Sequence, residues 1–193
     1  MPARALGREA AALLGYVCVA LVFAWPLPLR LADAMLGLPN GDAGVYVWNL
    51  WVFRHEIVAN HRLPFLTSEI LALSPPVPLA LHNYTTFANI LAFPLIPLFG
   101  VLKTFNVLVL ASGVMSGYAM YFYARVRTGD AAAAWMGGLL FGFSPFMSAR
   151  AAEHFSLTLA APLPIFGYLT YRIFSRPSLG LACAAGATVA WAF

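Results

Sequence analysis

Four stretches of this chain carry no charged side chain over a length that suits a bilayer: 10–29, 104–124, 131–149 and 155–171. A hydrocarbon layer of about 30 Å needs roughly 20 apolar residues, because a helix rises about 1.5 Å per residue. Inside lipid each backbone amide must find its partner within its own segment, so stretches of this kind fold as helices. The expected fold class is therefore all-α: a polytopic transmembrane helical bundle with juxtamembrane amphipathic helices in a long first external loop. The whole of 1–193 reads as a single membrane domain, with spans at 10–29, 104–124, 131–149 and 155–173. A last apolar run, 177–193, has no polar closing segment and reads as an incomplete span, so the chain is expected to be the N-terminal part of something longer.

Composition supports the same class. The chain is 62% hydrophobic and only 9% charged, against about 25% charged residues in soluble domains. Its net charge of +4 is small and has no dense basic run, which excludes a nucleic-acid partner and leaves the arginines to set orientation. Cys18 and Cys183 both lie in apolar runs, so neither a disulfide nor a cysteine metal knot is expected. The first apolar run exceeds the apolar core of a signal peptide, roughly 7–15 residues. It also ends in Trp25-Pro26-Leu27-Pro28 rather than a small-residue cleavage site, and so reads as a retained anchor.

Sidedness turns on 87–102, an apolar segment interrupted by Pro94 and Pro97. Counted as a span, it would place Arg125, Arg127, Arg172 and Arg176 outside, against the positive-inside bias. Read as a juxtamembrane or re-entrant helix, it leaves those four, with Arg4 and Arg8, in the cytoplasm. Arg30, Arg54, Arg62, Lys103 and Arg150 then lie outside. The N-terminus is cytoplasmic on this reading, and two segments face the exterior: a long loop, 30–103, and a short one, 150–156. Nearly all reactive side chains fall in these two loops.

In the first loop, Gly41-Asp42 precedes an expected helix over 45–60 in which Trp48 and Trp51 sit beside a polar stripe of Asn49, Glu56 and Asn60, with His61 close by. Such a helix suits the water–lipid boundary. Asp42 reads equally as a helix N-cap or as an acid held at headgroup depth, and Arg54 and Glu56 read as solvated or paired surface charges. Ser74-Pro75-Pro76-Val77-Pro78 cannot continue a helix. The cluster that follows, His82 to Thr86, offers donors for a phosphate or a sugar, or is simply exposed loop. Lys103 is either a lipid-phosphate partner or a snorkelling anchor. In the second loop, Arg150 and Glu153 are spaced to pair on one helical turn. If the loops meet, Asp42 and Glu153 could instead share a divalent cation, Mg or Mn, through oxygen ligands, with His154 adding a nitrogen ligand or binding phosphate.

Taken in order, these elements resemble the N-terminal part of GT-C-type membrane glycosyltransferases, in particular the family 39-like enzymes that use polyprenyl-phosphate sugars. The matching pattern begins with an N-terminal span, Gly41-Asp42 before a Trp-rich helix, and a proline-rich segment ending in Phe99-Gly100. It continues through Tyr121-Phe122-Tyr123-Ala124-Arg125-Val126-Arg127-Thr128-Gly129, then Gly137-Gly138-Leu139-Leu140-Phe141-Gly142-Phe143-Ser144-Pro145, and ends at Arg150…Glu153-His154. These are loose patterns that cover essentially the whole chain. The resemblance implies a bacterial plasma-membrane enzyme that moves a sugar from a polyprenyl-phosphate donor to an acceptor on the external face. It implies Asp42 as catalytic base or metal ligand, Glu153 or His154 as the second-loop group, and His82, Lys103 and Arg150 as phosphate stabilisers. Neither loop holds the paired acids of the oligosaccharyltransferase-like members. The alternatives are a non-enzymatic membrane protein, such as a transporter or lipid-handling subunit, or an inactive gene fragment. The absence of charge inside the four spans counts against ion coupling.

Overall fold

The computed structural model describes residues 3–37, 41–70, 76–79 and 82–192. The chain is mostly helical, and its only strands among these residues are Leu66–Thr67 and Val77–Pro78, paired antiparallel. The helices are α1 (Ala3–Phe23), α2 (Ala43–Val58), α3 (Thr86–Ala92), α4 (Ile96–Phe99) and α5 (Val101–Thr128), followed by α6 (Ala131–Gly142), α7 (Pro145–Ala151), α8 (Phe155–Thr158), α9 (Pro162–Ser175) and α10 (Leu179–Ala192). Two of them, α1 and α5, are long and apolar enough to cross a membrane, and α6 with α7 makes a third candidate if the pair, bent by 41°, counts as one span.

Proline and glycine explain where the apolar runs break. The run expected to be continuous over 131–149 bends at Phe143–Ser144, where Ser144 caps α7 by accepting from Met147 N (3.3 Å) and Pro145 opens the new helix. The stretch 155–173 is two helices rather than one: α8 is a single turn, and α9 begins at Pro162 with Pro164 close behind, positions that have no amide to donate backwards. The ambiguous 87–102 segment is α3 and α4 with a break between them, and Gly100 at φ +77 turns the chain into α5. Of the proline-rich segment, Ser74 and Pro75 lie outside the described residues, as do Asn40 and Phe193.

Helix α5 organises the rest. Midway along it, Gly113 and Gly117 face Gly138 and Gly142 of α6, and the two backbones touch: a Cβ on Gly142 would lie 2.7 Å from both Gly113 O and Gly117 N. Small residues four apart allow this approach, which supplies dispersion contacts that lipid cannot outcompete. Towards its C-terminal end, α5 and α6 enclose Tyr16 of α1, which is fully buried, stacks on Trp135 at 5.4 Å and donates to the Trp135 carbonyl at 2.8 Å. Glu9 of α1 ion-pairs with Arg125 and accepts from Tyr118 Oη at 3.1 Å. At the opposite end, Phe105, Leu108 and Val109 of α5 share a core with Tyr46 and Leu50 of α2, Ala88 and Ala92 of α3, and Phe155 of α8. Both loops thus pack on the same end of α5.

Three polar side chains of α5 fasten irregular chain to it. Asn106 Nδ2 donates to the carbonyls of Leu31 (2.8 Å) and Ala34 (2.7 Å). Ser112 Oγ donates to Thr158 Oγ1 (3.0 Å), and Ser116 Oγ to the Thr158 carbonyl (3.2 Å). Backbone groups released at loops and breaks need such partners when buried.

Two members of the expected polar stripe, Asn49 and Glu56, face the protein, while Asn60 lies beyond the end of α2 and is exposed. Asn49 and Glu56 are fully buried, which corrects the expectation of Glu56 as a surface charge. His61 adopts φ +50 and turns the chain back, so that Arg62 Nε donates to Glu56 Oε2 at 2.5 Å while Asn60 Nδ2 donates to the same oxygen at 2.9 Å. Burial alone would raise the Glu56 pKa; the bonds from Arg62, Asn60 and Thr67 outweigh it and hold the value at about 2.

Two measurements follow from this packing. Gly142→Leu forces α5 and α6 apart and should lower stability in detergent by about 1–3 kcal/mol, whereas Gly186→Ala, whose Cβ meets open space, should be neutral or stabilising in the same thermal melt. For Glu56, a folded-state pKa of about 2 against the ordinary 4.5 contributes stability that is present above about pH 4.5 and lost as pH falls towards 2. Glu56→Gln should flatten that part of the stability-versus-pH curve.

Candidate functional site

The two loops meet at a glycine. Gly37 has φ +131, and a Cβ there would run into the Ala152 carbonyl and lie 3.2 Å from the Ala43 side chain. Only a residue without a side chain allows the first loop to lie directly on the second at this conformation. Tyr46, fully buried, seals the contact from α2: its ring meets Phe155 edge-on at 5.7 Å, and its hydroxyl lies 3.0 Å from Ser156 Oγ.

Asp42 stands at this junction in the N-cap position of α2, yet its side chain makes no capping hydrogen bond. The contrast with Asp130 is direct, since Asp130 Oδ1 accepts from Ala132 N (2.8 Å) and Ala133 N (3.1 Å) at the start of α6. The Asp42 carboxylate is 57% exposed and points across the junction, with Oδ2 3.8 Å from His154 Nε2. The other ring nitrogen, Nδ1, lies 3.4 Å from Arg150 Nη1. A guanidinium can only donate, so Nδ1 accepts and the proton of a neutral His154 sits on Nε2, facing Asp42. Arg150 itself lies over the Phe146 ring at 5.4 Å.

A separation of 3.8 Å is too long for a hydrogen bond and leaves the carboxylate and the imidazole N–H both open to a third group. One oxygen placed off the line between them can reach each at about 2.8 Å. The arrangement is thus a proton acceptor and a proton donor around one oxygen-sized position, with a fixed positive charge behind it.

The structure brings Asp42, His154 and Arg150 together, and the other expected residues make different contacts. Glu153 is half-buried and has no ion-pair partner among the described residues, and Arg150 turns to His154 rather than to it. Lys103 sits in the first turn of α5 with its ammonium 5.3 Å from the Phe99 ring centre. His82 belongs to a separate cluster: its Nε2 lies 2.8 Å from Asn49 Oδ1, while Asn49 Nδ2 donates to the Asn83 carbonyl at 2.7 Å. Burial lowers the His82 pKa and so favours the uncharged ring.

Tyr46, Asn49, Asn83 and Ser156 join the two clusters, and Asn83 Nδ2 donates to Tyr46 Oη. Of these, Tyr46 and Ser156 were not among the candidates from sequence. For Tyr46 a signal was present: 42, 46, 49 and 56 recur at helical spacing, which sets them on one face of α2. That face is a polar ribbon roughly 20 Å long, from a helical rise of about 1.5 Å per residue.

As a cation site the donor set is thin. Asp42 supplies one carboxylate and His154 one imidazole, and no group of three His, Cys, Asp or Glu is clustered among the described residues. Mg strongly prefers oxygen ligands in an octahedron, and Arg150 beside His154 opposes a second positive charge. The residues do not fit a resident metal.

Comparison with protein-family models, with curated proteins and with solved structures gives no match for this chain.

If Asp42 does not cap α2, Asp42→Ala should change thermal stability by less than about 0.5 kcal/mol, whereas Asp130→Ala should lose about 1 kcal/mol. Equal losses in the two melts would return Asp42 to a capping role.

Proposed function

We propose that the chain is the catalytic end of a polytopic GT-C-type glycosyltransferase of the bacterial plasma membrane, which moves a sugar from a polyprenyl-phosphate donor to an acceptor on the external face. The observation that carries this reading is the meeting of Asp42 and His154, one from each loop, 3.8 Å apart, with the Asp42 carboxylate released from capping. An apolar cleft of about 110 Å³ between α1, α5 and α7 reaches Leu36 and Ala151 beside the junction and offers a path for an isoprenoid chain.

A sugar on a lipid phosphate already carries a good leaving group. The acceptor hydroxyl oxygen attacks the anomeric carbon, the bond from that carbon to the phosphate oxygen breaks, and the hydroxyl proton passes to Asp42 Oδ2. His154 Nε2–H fixes the acceptor oxygen against the carboxylate, so the base and its substrate are oriented before reaction. The Arg150 guanidinium, always charged, lies behind His154 and stabilises the departing lipid phosphate. No step is routed through a metal.

Asp42→Asn keeps the shape and removes the base. In membranes carrying the intact protein, transfer of labelled sugar from a polyprenyl-phosphate donor should fall by at least about 100-fold, with expression and insertion unchanged. Wild-type transfer in that variant would reject the assignment. His154→Gln should give a smaller loss.

A further inference from the structure

Beyond the Asp42 junction, a half-open cavity of about 350 Å³ lies between the His82–Thr86 segment, Ser156–Leu159 and Trp191 of α10. Its volume falls at the small end of ligand pockets, roughly 300–1,000 Å³. The wall has three properties in combination. It carries a row of uncharged hydrogen-bonding side chains, among them Asn83, Thr85, Thr86 and Ser156, and among the described residues no Asp, Glu, Lys or Arg. It has an aromatic side, Phe87 against Trp191 with ring centres 4.5 Å apart. And the indole Nε1 of Trp191 is shut off from solvent with no hydrogen-bond partner among the described residues, although a buried donor is normally paired.

We propose that this cavity is a subsite for an uncharged sugar ring, held by stacking on the aromatic side and by neutral hydrogen bonds, and that it rejects sugars bearing a carboxylate or phosphate. Sugar rings present hydroxyls and a C–H face, the two kinds of surface for which this wall has hydrogen-bonding side chains and an aromatic side. A charged substituent would enter without a counter-charge and lose its hydration uncompensated. His82 does not supply that charge, because burial lowers its pKa and Asn49 occupies its Nε2. The cavity is tied to the catalytic junction through Ser156 and Asn83, which both meet the Tyr46 hydroxyl. The inference rests on the glycosyltransferase reading for its place in the reaction, with phosphate chemistry at Arg150 and ring recognition here.

The test uses the full chain with all five tryptophans replaced by 5-fluorotryptophan, in a detergent without a sugar headgroup. Trp191→Phe assigns the Trp191 fluorine signal. Octyl β-glucoside should shift that signal saturably and leave the Trp25 and Trp135 signals in place; octyl β-glucuronide and octyl phosphate should not. Thr86→Val should weaken the glucoside effect about fivefold, the loss of one hydrogen bond, with the other fluorine signals reporting an intact fold. No saturable shift with glucoside, or equal shifts from all three probes, would overturn the proposal, the latter because the octyl chain alone would then be the ligand. Asp42→Asn should bind glucoside like wild type. Glucoside binding without any lipid-phosphate sugar transfer would remove the enzyme reading and leave the subsite standing, whereas transfer without the Trp191 shift would remove the subsite alone.

Discussion

The close approach of α5 and α6 at Gly113, Gly117, Gly138 and Gly142 is the contact on which the rest of the molecule depends. Lipid solvates an apolar helix as well as another helix does, so in such a medium burial alone cannot hold two helices together. Backbones in van der Waals contact can, because every atom along the line of contact gains a partner. The position of α6 determines where α7 ends, and so where Arg150 and His154 begin. The site is assembled by a crossing that itself carries no reactive group.

A second constraint is the inward polar face of α2. A helix with Asn49 and Glu56 fully buried cannot slide or roll, since each polar group would lose its partners in the interior. Arg62 locks one end through Glu56, and Asn83 locks the middle through Asn49 and Tyr46. Asp42 at the other end therefore meets the second loop in a set orientation. The same ribbon separates two kinds of chemistry. The Asp42–His154–Arg150 end is charged and suits proton transfer and a phosphate. The middle, where His82 meets Asn49, is uncharged and suits hydroxyls.

Some of this was legible in the chain itself. The long charge-free runs foretold α1 and α5 because hydrocarbon permits few alternatives. Prolines 94 and 97 marked the break between α3 and α4, and Asp42 and His154 stood out as polar groups beside apolar runs. Other elements could not be read. Nothing local tells a capping aspartate from a free one, because Asp42 and Asp130 both stand just before a helix and only the rotamer separates them. Glu56 resembled a surface charge because its partner arrives only when the chain reverses at His61. The breaks at Ser144 and Leu159 lie inside runs that hydropathy scores as continuous.

By itself the sequence determined that this chain is helical and rich in long apolar runs, since composition dictates how backbone amides are satisfied in an apolar medium. Of the four spans it led us to expect, the structure keeps two as helices long and apolar enough to cross a membrane, with a bent third candidate. Tertiary structure alone decided that Asp42 turns from its own helix to His154, that Arg150 turns to His154 rather than to Glu153, and that His82 bonds Asn49 beside an uncharged cavity. Those outcomes rest on contacts between residues far apart in the chain, and such contacts exist only once the helices have packed.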